Sequence, residues 1–309
     1  MRRRTETTVL AGDGTRLYAR ETRGPQAQGT PIVCANGIGV STLFWHYVED
    51  HFSPTRPVIC WDYPGHGESE FPRDLDALSM EDMADDLGRV LSAFGHERAI
   101  VMGHSMGCQV TYEFANRHPQ RAAMLVPMLG TIGNPVHTFL GMEKVSLLGF
   151  MVGHAVATTI PDAIGRGQLR LIGSRRLRPV LSRLARLSGL VHAERMPQAD
   201  LEAYMDHFAS FPPLVFFRMA EKMASHSADP YLEQIEAPTL VIAGELDLFT
   251  PFAKSEEAAQ RIPTAKLLTL AAGSHAALVE QPDRIHAEIE SFILEHSVDE
   301  GADAARRSA

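Results

Sequence analysis

Ser105 stands between Gly103 and Gly107, where the apolar run RAIVMGH ends and a helical pattern begins. A serine hydroxyl is a weak nucleophile until a base takes its proton. It must also stand clear of its own chain so that a carbonyl carbon can reach it. A sharp strand-to-helix turn achieves this, with strain at the serine and no room for side chains two positions before and after it. The helix N-terminus beneath such a turn presents unpaired N–H groups that favour developing negative charge. The chemistry on offer is attack on an acyl group.

That chemistry needs a base, and an acid to orient the base. The chain has 14 histidines, so position must select among them. His275, in LAAGSHAALVEQP, follows a strand-like run and precedes a helix. In a parallel sheet it would share the carboxyl edge with Ser105, where open α/β sheets bind ligands. Asp247, in VIAGELDLFTP, lies just past another apolar run and gives the chain order Ser, Asp, His. Glu245 is the competing acid. Asp247 is preferred, because three residues beyond Gly244 leave the loop room to turn toward His275.

Charge that develops on the substrate oxygen needs N–H groups already aimed at it. One donor is expected from Met106, the residue after the serine. The other is expected from the loop Asn36-Gly37-Ile38-Gly39, with Ile38 the chosen donor and Gly37 the alternative. Phe44 and Trp45 follow that loop and are expected to wall the acyl pocket. Gly37 and His104, beside the serine, complete the expected substrate contacts.

These residues must be held by regular elements, and the rest of the chain supplies them. TTVLA and RLYARET flank Gly12-Asp13-Gly14, a hairpin signal. PIVCAN and PVICWD are short β-branched runs of the kind found in buried parallel strands, with a helical STLFWHYVEDHF between them. Ser79 caps SMEDMADDLGRVLSAFG, whose acids suit a first helical turn. A helix over 105–118, the strand AAMLVPML, and later APTLVIAGE, a helix from about 252, AKLLTLAA and a helix to about Ser297 continue the alternation. The fold class is therefore α/β, a mostly parallel eight-stranded sheet covered on both faces. From about 132 to 228 the pattern is helical without clear strands. The expected domains are a core over 1–131 and 229–297, a helical cap over 132–228, and a frayed tail over 298–309.

Composition narrows the partners. The net charge of the 309 residues is −9, which gives the chain as a whole no nucleic-acid footprint. No apolar segment follows the N-terminal arginines as an export signal would require. VSLLGFMVGHAVATTIP, residues 145–161, is too short and broken for a membrane span and reads as a buried or pocket-lining helix. The three cysteines, Cys34, Cys60 and Cys108, show no metal spacing and read as reduced thiols of a cytoplasmic protein. Seven of the 13 methionines fall in 128–223, suited to packing or to an adaptable pocket. From Ala163 to Val191 there are seven arginines and no acid. RPVLSRLARLSGL within it reads as a basic amphipathic helix, a solvated face or an attractor of an anionic substrate or interface.

Taken together, GHSMG, NGIG, WDYPGHGESE, GELDLFTP and GSHAALVEQP resemble the α/β-hydrolase superfamily, in its subgroup with a helical cap, over nearly the whole chain. Asn36 stands where that family usually has histidine. Asp62, Gly65, His66, Gly67 and Ser69 match its structural turn. Serine at 105 disfavours the aspartate-nucleophile branches, the dehalogenases and epoxide hydrolases. The resemblance implies an esterase-like enzyme acting on a small-molecule acyl substrate, with neither metal nor organic cofactor needed. The same triad also serves carbon–carbon bond hydrolases of dienoic ketoacids, lactonases and thioesterases. A hydrolase-like receptor would not need all three members. The oligomeric state is left open.

Overall fold

The computed structural model describes residues 2–133, 155–156 and 158–296. Strands β1 (Arg3–Leu10) and β2 (Arg16–Arg23) form the expected hairpin. Then come β3 (Ile32–Ala35), a 3-10 turn over Thr42–Trp45, α1 (His46–Phe52), β4 (Val58–Trp61), α2 (Met80–Ala93), β5 (Ala99–His104), α3 (Met106–Arg117) and β6 (Ala122–Met128). STLFWHYVEDHF is thus a tight turn followed by a short helix, not one continuous helix. The helix expected from 105 starts one residue later, because Ser105 has left helical geometry. Helices α4 (Pro161–Ile172), α5 (Arg178–Leu187), α6 (Gln198–Ser210) and α7 (Pro213–Ser225) follow, then β7 (Thr239–Gly244), α8 (Phe252–Arg261), β8 (Ala265–Leu270), α9 (Ala277–Glu280) and α10 (Pro282–Glu295).

The eight strands lie in the order β1-β2-β4-β3-β5-β6-β7-β8. The β1–β2 and β2–β4 pairs are antiparallel and every later pair is parallel. Successive strand residues point to opposite faces, and the core divides accordingly. Val33, Ile59, Val101 and Leu125 pack on one face with Leu87 and Val90 of α2 and Phe114 of α3. Ile32, Val58, Ile100 and Met124 pack on the other with Phe52 of α1 and Ile289 and Phe292 of α10. Both faces are covered, which is why these strands read as continuous apolar runs. Ser79 caps α2 reciprocally with Asp82, its hydroxyl accepting the Asp82 N–H while Asp82 accepts the Ser79 N–H, each at 3.1 Å.

Between β6 and β7 the regular elements among the described residues are helices, with no strand. Met196, Leu201 and Met205 of this insertion pack on Ala276 and Val279, next to His275. Where the chain returns to the sheet, Glu113 of α3 accepts hydrogen bonds from the Tyr231 hydroxyl (2.6 Å) and His226 (3.2 Å). Of the run 145–161, residues 145–154 and 157 lie outside the described residues, and its described end, 155–156 and 158–161, is exposed or half-buried rather than buried as expected; the tail 298–309 lies entirely outside. Among the described residues no helix is long and apolar enough to cross a membrane. Cys34, Cys60 and Cys108 are free and buried.

Candidate active site

Strand β5 delivers Ser105 at its carboxyl end, and the chain reverses at once into α3. Ser105 has φ 56° and ψ −118°, a conformation that side-chain-bearing residues adopt only under constraint from their surroundings. A Cβ at Gly103 would fall on the Gly107 carbonyl and the Thr111 hydroxyl. One at Gly107 would fall on the Ala35 carbonyl oxygen at the end of β3. The crowding atoms at Gly107 are backbone, which cannot rotate away. Gly107→Ala is therefore expected to lower the unfolding free energy by about 3 kcal/mol, the upper end for overpacking. Urea denaturation at unchanged slope checks it, and a midpoint equal to that of the parent would contradict it.

The loops after β7 and β8 bring the other two groups. His275 Nε2 lies 3.0 Å from Ser105 Oγ, and His275 Nδ1 lies 2.9 Å from Asp247 Oδ2. Asp247 Oδ1 accepts the N–H groups of Phe249 and Thr250 at 2.8 and 2.9 Å, and Oδ2 also accepts the Thr250 hydroxyl at 2.6 Å. Burial pushes this carboxyl up, but the facing imidazole and the hydrogen bonds outweigh it and hold Asp247 below its ordinary value. An ionised Asp247 keeps the proton of neutral His275 on Nδ1, so Nε2 turns a lone pair toward the serine hydroxyl. Glu245, the competing acid, is exposed and accepts the Ala272 N–H instead.

Gly37 packs against the serine. A Cβ there would sit 3.2 Å from the Ser105 Cβ and 3.1 Å from His104 Nδ1. Met106 opens α3, so its N–H has no acceptor within the helix. Neither that N–H nor the one of Ile38 donates to a backbone acceptor among the described residues.

Two aromatic expectations part company. Phe44 is half-buried, its ring centroid 4.9 Å from that of His104. Trp45 is completely buried beneath the sheet with Cys34 and Cys60. Its indole N–H donates to the Asn36 side-chain oxygen at 2.6 Å, while the Asn36 amide donates to the Trp61 carbonyl at 2.7 Å. Trp45 is thus a core residue and not a pocket wall, because a buried indole N–H needs a fixed acceptor and finds it inward. His104 is also buried, and its Nε2–H donates to the His275 carbonyl at 2.9 Å. Burial, and then the neighbouring His275, push its pKa down to about 3. A neutral His104 supports the His275 loop from below instead of lying open to a substrate.

Sequence reasoning placed His66 in a structural turn without its contact, and missed two further supports. His66 accepts the Gly39 N–H on Nε2 at 3.0 Å, which places its own proton on Nδ1, facing the Pro64 carbonyl at 3.1 Å. Burial pushes its pKa down to about 3, so it stays a neutral acceptor. The turn in DYPGHGES therefore holds the glycine loop. Ser274 and Glu280 are the other two. The Ser274 hydroxyl accepts the Ala276 N–H at 3.0 Å and donates to Glu280 at 2.8 Å, and Glu280 accepts the His192 N–H of the insertion at 2.6 Å. A pocket lined by Val40, Ser41, Phe44, Asp200, Tyr204 and His207 opens between the 3-10 turn and α6.

A family model described as alpha/beta hydrolase fold matches residues 30–282. A curated relative from Caulobacter vibrioides, named "Putative carbamate hydrolase RutD", is 28% identical over 295 residues, covering 95% of this chain and 99% of the relative. Among solved structures, Est816, described as an N-acyl homoserine lactone degrading enzyme, is 27% identical with a TM-score of 0.69, covering 93% of this chain and 100% of that one. The enol-lactonase from Burkholderia xenovorans LB400 shares the fold at 22% identity with a TM-score of 0.71, over 93% and 100% of the two chains.

Proposed function

The chain belongs to the α/β-hydrolase fold family, and from that premise we propose that it is a serine hydrolase cleaving carboxylic esters, or related acyl compounds, of small and largely apolar substrates through an acyl-enzyme on Ser105. The observation that carries this reading is the unbroken hydrogen-bonded chain Ser105–His275–Asp247. His275 Nε2 takes the hydroxyl proton as Ser105 Oγ bonds to the carbonyl carbon. The carbonyl oxygen becomes an oxyanion, held by the N–H groups of Met106 and Ile38. Asp247 stabilises the imidazolium without taking its proton. Protonated His275 then gives the proton to the leaving alcohol. Water repeats the cycle on the acyl-enzyme, returning the acid and the free serine.

Lactones, thioesters and carbamates present the same acyl carbon, and the names of the relatives make lactones and carbamates the first alternatives to open-chain esters. A carbon–carbon hydrolase that clamps a ketoacid with an arginine from the 163–191 run is less well supported. Five of those seven arginines are exposed, Arg178 pairs with Asp206, and Arg186 holds the Ala193 and Met196 carbonyls.

The test is covalent. A fluorophosphonate is expected to modify Ser105 alone, seen by peptide mass spectrometry, and to silence turnover in step with labelling. Ranking p-nitrophenyl esters, lactones, carbamates and a vinylogous diketone by kcat/KM then assigns the substrate class. An unlabelled Ser105 in protein that still turns over these esters would overturn the proposal.

A further inference from the structure

We propose that the outer face of α5 docks on an anionic lipid bilayer. Its main feature is a helix that is turned inside out. Leu177, Val180, Leu184 and Leu187 recur at intervals of three and four residues, so they form one stripe along α5. That spacing normally marks a face buried against the core. Here the four are 39%, 56%, 56% and 73% exposed, and the buried residue of α5 is Ser182, a hydroxyl facing inward.

The run that carries the stripe, Ala163 to Val191, holds seven arginines and no acid. Arg166, Arg170, Arg175, Arg176 and Arg183 are exposed, and none pairs with a carboxylate of any described residue, whereas Arg178 is tied to Asp206. The whole chain carries −9, so an anionic surface repels it at a distance. Attraction has to be local, within a Debye length of about 8 Å at physiological salt. Arg183, one turn from Val180 and Leu187, meets that condition together with Arg175 and Arg176 just before the helix, since arginine stems lie along apolar surface while the guanidinium reaches phosphate.

The chemistry favours a bilayer over the other occupants. The stripe has no aromatic residue of the kind that anchors protein interfaces. A second copy, meeting the same face about a two-fold axis, would bring two sets of unpaired arginines together. A bilayer offers anionic headgroups above hydrocarbon, which is the partner of an amphipathic helix lying in the interface plane. The band also reaches the site. A Cβ at Gly189 would lie 3.3 Å from Leu248, and Leu246 and Leu248, both exposed, flank Asp247.

Vesicle co-sedimentation tests the proposal without using turnover, so it stands or falls apart from the acyl-enzyme reading. The full-length protein is expected to pellet with vesicles containing about one-third phosphatidylglycerol at about 50 mM salt, and to be released at about 500 mM. It is expected to stay in solution with phosphatidylcholine alone. Arg183→Gln should lower the partition about fivefold, the effect of one basic side chain at an anionic surface. Leu184→Asp with Leu187→Asp should abolish binding, with circular dichroism and thermal midpoint unchanged because both residues face solvent. Failure to pellet with the phosphatidylglycerol vesicles overturns the proposal, as does equal binding to both vesicle types. If the protein instead forms a dimer that the double variant dissolves, and ignores vesicles, the face belongs to a second copy and the proposal falls.

Discussion

Ser105→Ala is expected to cut kcat for a short p-nitrophenyl ester by about three decades or more. At about 1.4 kcal/mol per decade this corresponds to roughly 4 kcal/mol of lost transition-state stabilisation. The loss is large because the hydroxyls that contact Asp247 and support the His275 loop are already committed. Thr250 is committed to Asp247 and Ser274 to Glu280. What survives is the contribution of oxyanion donors and substrate positioning, which by themselves speed attack by water. The fold should survive. The Ser105 backbone is fixed by the Met128 carbonyl at 3.0 Å and by the steric demands at Gly103 and Gly107, none of which involves the hydroxyl. KM should change little, since the hydroxyl acts on the reacting carbon and not on the remote parts of the substrate. An alanine variant with undiminished kcat would remove Ser105 from the chemistry.

The parts of the site that were legible in the sequence share one physical property. Ser105 and Asp247 each follow a run that the sheet buries on both faces, and His275 follows the edge strand β8, in which Leu268 and Leu270 are buried, so each run announces its own carboxyl end. Parallel pairing of β5 through β8 then places those ends on one edge. Side-chain direction was not legible. Phe44 and Trp45 are adjacent aromatics, and only the 3-10 geometry sends one toward His104 and the other into the core. The role of His66 depends on a contact with Gly39, far away in sequence, that no local pattern encodes. The α5 stripe is the sharpest case. Its period fixes that one face is apolar, but only tertiary packing decides that this face looks outward.

Asp247→Asn tests the finest feature of the geometry, the tautomer of His275, and is expected to lower kcat by about four decades. Asp247 Oδ1 accepts two backbone N–H groups, from Phe249 and Thr250. An amide nitrogen cannot accept either, so the asparagine oxygen must take that place. Its NH2 then faces His275 Nδ1, which has to become an acceptor. The imidazole proton moves to Nε2 and points at Ser105 Oγ, where the lone pair used to be. The base is still within 3.0 Å of the hydroxyl in position but no longer acts as a base. Stability carries a second signature with a definite sign. The folded Asp247 carboxyl titrates below its ordinary value, so as pH falls the unfolded chain takes up this proton first. The contribution of the carboxylate is therefore complete above about pH 4 and is lost as pH falls through the folded value. Unfolding free energies of parent and Asp247→Asn, measured from pH 6 down to pH 3, should converge toward the acid end. A gap that widens on acidification would mean that the carboxyl is not held ionised by its partners, and a variant retaining parental kcat would mean that the orientation of His275 does not depend on it.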